Sequence, residues 1–277
     1  MIKRIPEPSH LNTNEKKGNH MIRKDFKGRL HENLIGTHIT MTDSIVSEML
    51  GKLGYDFVWI DTEHGEMTYT DLRHHLTAVN AGGTPTLVRV SMHDYNHVKR
   101  VMELGPDAIL FPMINTPEEA AAAMRFCMYP PEGMRGFGPL RAVSYGIDDI
   151  NDYIVSANRD TCRFIQIETE TAVKNLPEIV KNPYIDGYFF GPCDLSGSIG
   201  ELNQVFGEHT QKLIREAIAI LKDAGKPIGV STGSTDPAVT GFWHDLGINI
   251  ISTGTDYDYI MRAARDNLAS MKQVMAK

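Results

Sequence analysis

The chain of 277 residues is 42% hydrophobic and 23% charged, a composition typical of a globular protein with a sizeable buried core. Its net charge of −7 and pI near 5.9 give no electrostatic reason to expect nucleic acid or an anionic membrane as a partner. No apolar run approaches the roughly 18 residues of a membrane span, and the N-terminus lacks the apolar core of a signal peptide. The three cysteines have no metal-ligand spacing, which predicts reduced thiols and a cytoplasmic location.

The first residues differ in composition from the rest of the chain. Residues 1–22 mix proline, asparagine, histidine and charged side chains without an apolar period, so we predict an N-terminal tail there. Residues 23–277 are predicted to form one domain. Their number suits a single α/β barrel of about 250 residues.

Apolar, strand-like runs alternate with helical periodicity from residue 26 onward. Capping residues mark helix starts at Asp43, Thr68, Asp94 and Thr116, the last followed by a proline and two glutamates. The predicted strands are residues 34–40, 56–61, 86–90, 108–111, 162–167, 186–190, 227–231 and 248–252. Their continuously apolar character is typical of parallel strands buried on both faces, and the sequence therefore predicts a (β/α)8 barrel.

Two carboxylates follow neighbouring predicted strands. Glu168 comes directly after residues 164–167, and Asp194 follows the Gly-Pro turn that ends residues 187–190. A carboxylate at the end of a buried strand is costly to desolvate unless a cation meets it. Oxygen ligands favour a hard divalent metal such as Mg²⁺ or Mn²⁺. The alternative is that each carboxylate only caps the helix that follows it.

Other polar residues at predicted strand ends are candidates for the same site, because a barrel brings those ends together. On the last two strands these are Ser231, Thr232 and Thr253. His64 has the position of a general base, with Asp61 near enough to orient its ring; the alternative is a solvated loop histidine. Arg89 is a candidate to bind a carboxylate or to stabilise an oxyanion, and its alternative is an ion pair with Asp61 or Glu63.

The same region contains residues whose roles are less defined by the sequence. Gln166 either lines the pocket or makes a hydrogen bond in the core. Cys193 is not predicted to be a nucleophile, because no histidine accompanies it locally. The Gly191-Pro192 turn and the helix start expected after Asp194 offer backbone N–H groups suited to an anion.

The sequence lacks residues and motifs that several classes of cofactor require. No lysine stands at the C-terminal end of a predicted strand, which argues against Schiff-base or pyridoxal phosphate chemistry. The sequence also lacks a Walker-type loop and a GxGxxG between strand and helix, so no nucleotide cofactor is indicated.

From about residue 26 to its C-terminus the chain resembles the HpcH/HpaI aldolase family, metal-dependent class II pyruvate aldolases such as 4-hydroxy-2-oxoheptanedioate aldolase. The motifs that carry the resemblance are Asp-x-Glu-His at 61–64, Leu-Val-Arg at 87–89, Tyr-Pro-Pro-x-Gly-x-Arg-Gly at 129–136, Gln-Ile-Glu-Thr at 166–169, Asn-Leu-Pro at 175–177 and Gly-Pro-x-Asp-Leu-Ser at 191–196. The resemblance implies a barrel of the phosphoenolpyruvate/pyruvate type. It also implies a homohexamer, a trimer of dimers that exchange the last barrel helix.

The resemblance also implies roles for single residues. Glu168 and Asp194 would bind a divalent metal (Mg²⁺, Mn²⁺ or Co²⁺), and Arg89 would lie against the pyruvyl oxygen. His64 with Asp61 would form the acid–base pair. The resemblance further implies Gln166 in the substrate pocket and Glu103 as an acidic residue donated from a neighbouring subunit. Beside these, the turn and helix start at Gly191, Pro192, Cys193 and Asp194 are predicted to bind substrate.

The function expected from this resemblance is reversible cleavage of a 4-hydroxy-2-oxo acid to pyruvate and an aldehyde through a metal-stabilised pyruvate enolate. Its partners would be these small molecules, with no nucleic acid and no membrane. One alternative is an aldolase for 2-keto-3-deoxy sugar acids, or another carbon–carbon lyase of the same family. A second alternative, from another class, is a non-catalytic barrel that binds an oxo acid.

Overall fold

The computed structural model describes residues 25–276, in which eight parallel strands close into a barrel in chain order. The strands are β1 (Leu34–Ile39), β2 (Phe57–Asp61), β3 (Thr86–Arg89), β4 (Ala108–Phe111), β5 (Cys162–Ile167), β6 (Gly187–Phe190), β7 (Ile228–Ser231) and β8 (Ile250–Thr255). The predicted (β/α)8 barrel is therefore confirmed. The tail predicted for residues 1–22 lies outside the described residues.

Helices follow the strands around the outside of the barrel. They are α1 (Ser44–Gly51), α2 (Tyr69–Ala81), α3 (Tyr95–Glu103), α4 (Pro117–Cys127), α5 (Ile150–Asp160), α6 (Glu170–Ile179), α7 (Pro192–Ser198), α8 (Glu208–Asp223), α9 (Pro237–Asp245) and α10 (Asp256–Met275). A 3₁₀ segment, Arg141–Gly146, precedes α5.

The predicted helix starts follow the capping chemistry. Asp43, Thr68, Asp94 and Thr116 each accept a hydrogen bond from a backbone N–H of the first turn. One start differs from the expectation: α7 begins at Pro192, so that Asp194 lies inside its first turn rather than before it. Proline suits this first position because its missing N–H would have had no partner within the helix.

Two apolar layers surround the strands, one between strands and helices and one inside the barrel. The inner layer is filled by aromatic and aliphatic side chains, including Phe57, Trp59, Leu87, Phe164 and Phe189. Successive side chains of a strand point to opposite faces, so the residue two positions after an inward one also points inward. The inward positions at the C-terminal ends of these strands are therefore the ones that carry the polar residues of the site.

An irregularity in β8 adjusts the mouth of the barrel. Thr37 of β1 pairs with Thr253 of β8, but the next residue, His38, pairs with Thr255. The extra residue is Gly254, whose φ of +57° lies in the left-handed region that glycine adopts without strain. The bulge therefore sets Thr255 beside His38.

Helix α10 differs from the other helices in its exposure. It has 20 residues, of which only Asp256 is buried in the single chain. Exposed apolar side chains on it include Ile260, Met261, Leu268 and Met271. Among residues 25–276, no helix has both the length and the apolar character needed to cross a membrane.

Candidate active site

A cavity of about 520 Å³ opens at the C-terminal ends of the strands. It brings together eleven residues singled out from the sequence: Asp61, His64, Arg89, Gln166, Glu168, Gly191, Pro192, Cys193, Asp194, Ser231 and Thr232. Further lining residues that the sequence reasoning did not assign to the site are His38, Trp59, Thr255 and Tyr257.

The floor of the cavity is a buried ion pair. Arg89 Nε donates to Asp61 Oδ1 at 2.9 Å and Nη2 donates to Oδ2 at 2.5 Å. Arg89 Nη1 lies 2.9 Å from Glu63 Oε2, and the guanidinium carbon lies 5.2 Å from the centre of the Trp59 ring. The ion pair left open as an alternative for Arg89 is thus formed. Such a two-pronged contact fixes the plane of the guanidinium at the cavity surface.

The Asp61 carboxylate accepts hydrogen bonds from three residues. Besides Arg89, its oxygens accept from His38 Nε2 at 3.2 Å and from the backbone N–H of Glu63 at 3.0 Å. Burial works to raise the pKa of Asp61, but hydrogen bonds from His38 and Arg89 together outweigh it and hold the pKa well below its usual range. Asp61 is therefore a carboxylate at neutral pH.

His64 does not pair with Asp61 as expected from the sequence. Its ring is 65% exposed, and Glu63 Oε2 lies 3.8 Å from its Nε2. The two side chains point in different directions. Asp61 is the last residue of β2, points into the barrel and accepts hydrogen bonds from Arg89 and His38. His64 follows the strand and its side chain extends toward solvent. His64 nevertheless lines the cavity.

Glu168 is a buried carboxylate at the end of β5. Its Oε2 accepts from the backbone N–H of Met113 at 2.8 Å, and its Oε1 accepts from Gln166 Nε2 at 2.7 Å. Burial raises the pKa of Glu168 to about 7, the hydrogen bond from Met113 opposes this rise, and the charges of Glu63 and Asp194 add to it. A carboxylate in this position gains by binding either a proton or a cation.

The loop after β4 was not anticipated as part of this arrangement. Met113 has a φ of +53°, which is uncommon for a residue with a side chain. Its carbonyl accepts from Asn115 Nδ2, and Asn115 in turn accepts from the Thr169 hydroxyl. This network holds the Met113 N–H against Glu168. No sequence pattern signals a left-handed methionine.

The donor set fits a hard divalent cation that keeps oxygen ligands from water or substrate. Among residues 25–276 no three His, Cys, Asp or Glu side chains are grouped to hold a metal ion. Glu168 and Asp194 do line one cavity, and the buried Oε1 of Gln166 has no hydrogen-bond partner there. A Cβ on Gly191 would overlap the Glu168 carboxylate, so glycine leaves that space open. Mg²⁺ is commonly held by one or two carboxylates plus water and substrate oxygens.

Two further residues of the cavity are Gln166, which lies in β5, and Cys193, which lies in α7. Gln166 both bonds within the core, to Glu168, and faces the cavity. Partial burial, helped by the charge of Asp194, raises the pKa of the Cys193 thiol, so it stays protonated at neutral pH. This agrees with the expectation that Cys193 is not a nucleophile.

Glu103 lies outside this cavity. It ends α3, and its Oε1 accepts from Nη2 of the buried Arg135 at 3.0 Å. The guanidinium of Arg135 also lies 4.4 Å from the centre of the Tyr129 ring. The role of Glu103 at a neighbouring subunit's site stays a prediction.

Comparison with known proteins agrees with this geometry. The family described as "HpcH/HpaI aldolase/citrate lyase" matches residues 35–263. The hydroxypyruvate/pyruvate aldolase of Roseobacter denitrificans is 32% identical over 242 residues, 87% of this chain and 94% of that protein. The 2-keto-3-deoxy-L-rhamnonate aldolase of Salmonella gallinarum is 32% identical over 262 residues, 93% of this chain and 97% of that protein.

Among solved structures, a HpcH/HpaI aldolase/citrate lyase family protein from Burkholderia cenocepacia superposes with a TM-score of 0.85 at 30% identity. The match covers 90% of this chain and 99% of that one. The chain therefore belongs to the HpcH/HpaI aldolase/citrate lyase family.

Proposed function

We propose that the chain is a class II aldolase, a carbon–carbon lyase that reversibly cleaves a 4-hydroxy-2-oxo acid to pyruvate and an aldehyde. The observation that carries the proposal is the meeting of Glu168 and Asp194 with the Arg89–Asp61 pair in one cavity. Carboxylates suited to a hard cation and a fixed guanidinium beside them are what a substrate with adjacent carboxylate and 2-oxo groups requires. The two aldolases of similar sequence support the same reaction type.

Glu168 and Asp194 would hold the divalent cation, which we infer to be Mg²⁺, Mn²⁺ or Co²⁺. When bound, such a cation supplies positive charge at the substrate carboxylate and 2-oxo oxygens and so stabilises the pyruvate enolate. Gln166 Oε1 is buried and has no hydrogen-bond partner among residues 25–276, so it is available for a polar group nearby.

The protein's own residues would then handle charge and protons. Arg89, locked by Asp61, presents its guanidinium to the 2-oxo oxygen, where negative charge develops as the C3–C4 bond breaks. His64 removes the proton of the 4-hydroxyl group, directly or through water, and that oxygen becomes the aldehyde carbonyl. The C3–C4 electron pair remains on the pyruvate fragment, and C3 afterwards accepts the proton that His64 removed, directly or through water.

Metal removal and reconstitution test this proposal. The protein is treated with EDTA, the chelator is removed, and exchange of the pyruvate methyl protons in D₂O is followed with and without added Mg²⁺. We expect exchange to stop after chelation and to return with Mg²⁺, because enolate formation needs the cation's charge. Undiminished exchange in the metal-free protein would refute the proposal.

A second candidate is an aldolase for 2-keto-3-deoxy sugar acids. The relative from Salmonella gallinarum, named for such a substrate, favours it. The two candidates differ in the aldehyde, so condensation of pyruvate with a panel of aldehydes distinguishes them. A preference for long polyhydroxylated aldehydes would support the second candidate.

We infer that the assembly is a homo-oligomer, a hexamer built as a trimer of dimers that exchange α10. The exposed apolar side chains of α10 support this, because a helix of a single soluble chain normally buries its apolar stripe. In such an assembly Glu103 would reach the site of a neighbouring subunit.

A further inference from the structure

One wall of the cavity is not used by the proposed reaction. It is formed by β7, β8 and β1, and β1 lies opposite β5 in the closed barrel. His38, Ser231 and Thr255 line the cavity from this wall. The His38 ring is stacked on Trp59, with ring centres 5.0 Å apart, and the side chain is 9% exposed. The packing holds the ring in one orientation.

The hydrogen bonds of Asp61 determine the tautomer of His38. Asp61 is an ionised carboxylate and can only accept, so the 3.2 Å contact requires His38 Nε2 to carry the hydrogen. In the neutral ring Nδ1 is then an acceptor. The Ser231 hydroxyl lies 3.3 Å from Nδ1 and is therefore the donor in that contact.

A serine hydroxyl has one hydrogen and two lone pairs, so Ser231 is left with acceptor capacity toward the cavity. The β8 bulge places Thr255 beside His38. Thr255 is only 7% exposed, yet its hydroxyl has no hydrogen-bond partner within residues 25–276. An unpaired buried hydroxyl is costly and gains from a polar ligand. Both groups suit a substrate that brings a hydroxyl group to this wall.

We propose that Ser231 binds a hydroxyl group of the aldehyde partner, with His38 as the positioning residue that orients the serine, so that the enzyme selects hydroxylated aldehydes. This inference rests on the proposed aldolase function. A site that hydrogen-bonds a substrate hydroxyl rejects the analogue that lacks it, because the polar groups of the site are then left unpaired.

The test compares two aldehydes of similar size, glycolaldehyde and propionaldehyde, in condensation with pyruvate and Mg²⁺. The wild-type protein is expected to show a kcat/KM for glycolaldehyde about tenfold or more above that for propionaldehyde. In Ser231→Ala the ratio of the two values should fall to near one. Ser231→Thr keeps a hydroxyl and should keep most of the preference.

His38→Phe retains a ring to stack on Trp59 but removes Nδ1, and it should reduce the ratio in the same direction as Ser231→Ala. Ser156→Ala is the matched control, since the Ser156 hydroxyl donates to a carbonyl of its own helix, outside the cavity. It should leave the ratio at the wild-type value.

The outcomes separate the two proposals. If the wild-type protein with Mg²⁺ fails to exchange the pyruvate methyl protons, the proposed function is wrong and the hydroxyl-binding role falls with it. If exchange and condensation occur but Ser231→Ala keeps the wild-type ratio, the aldolase function stands and the role of Ser231 is overturned. Equal kcat/KM values for both aldehydes in the wild-type protein would also overturn it.

Discussion

At the scale of single residues, the site combines two carboxylates in opposite electrostatic situations. Asp61 receives hydrogen bonds from Arg89 and His38, which hold its pKa well below the usual range despite burial. Glu168 is equally buried but lies near the negative charges of Glu63 and Asp194, and its pKa is raised to about 7. The first carboxylate is therefore a fixed structural charge, and the second is one that a cation can stabilise.

Glu168 makes the stability of the metal-free protein depend on pH. Its pKa is about 7 in the folded state and about 4.5 in the unfolded state, so between these values the folded state binds more protons. Stability is thus greatest below pH 4.5 with respect to this group and is lost as the pH rises through 7, by on the order of 3 kcal/mol. In EDTA, Glu168→Gln should lose less stability than wild type between pH 5 and pH 8, as measured by urea unfolding. Parallel pH profiles for the two proteins would contradict this.

The Arg89–Asp61 pair should be costly to break from one side. Asp61→Asn leaves a buried guanidinium without its main charge partner, which costs about 3–5 kcal/mol of unfolding free energy. Turnover should fall as well, because the guanidinium is no longer held in its plane. Glu48→Gln is the control: it removes a carboxylate from an exposed ion pair with Lys52 and should change the unfolding free energy little. Equal urea midpoints for the two variants would show that the buried pair adds no stability.

At the scale of elements, strand ends predicted much of the site, including Ser231, but not His38 and Thr255 on the wall opposite the carboxylates. Asp61, Arg89 and Glu168 stand at or just after the ends of apolar runs, so the barrel rule alone brings them together. His38 is the second-last residue of β1, on the same face as the inward Leu34. A polar residue four positions after an inward apolar residue of the same strand could have been used to predict that His38 faces the cavity. The sequence does not reveal which face of a strand points inward, nor the bulge at Gly254.

The bulge in β8 should be sensitive to a single methyl group. At Gly254, with φ of +57°, an added Cβ would lie 2.6 Å from the Tyr259 ring carbon Cε1. Gly254→Ala should therefore lose about 1–2 kcal/mol from the left-handed backbone and about 1–3 kcal/mol from the collision. Gly83→Ala, at φ of +81° with open space around the Cβ, carries only the backbone cost. The unfolding free energies of both variants measure the difference. Equal losses would mean that Tyr259 moves aside freely.

At the scale of the whole molecule, the sequence predicted the barrel because eight buried parallel strands leave a distinctive apolar pattern. It did not predict the direction of His64, which depends on how the loop after β2 leaves the strand rather than on its three-residue separation from Asp61. Contacts among residues 25–276 likewise do not explain the apolar side chains of α10 that stay exposed, such as Leu268 and Met271. The barrel fold is thus determined within the chain, whereas the exposure of α10 supports the assembly proposed above.

Charge on the apolar stripe of α10 should break the proposed assembly. Leu268 and Met271 are three residues apart on one face of the helix and are 55% and 49% exposed. The double variant Leu268→Glu, Met271→Glu changes two side chains that are about half exposed and lie outside the barrel core. The fold of the barrel should therefore survive, while the sedimentation coefficient falls to that of a smaller species. The control Lys272→Glu alters charge on the same helix at a residue that already carries charge, and it should leave the sedimentation coefficient unchanged. A double variant that sediments like the wild-type protein would show that this stripe is not the contact between subunits.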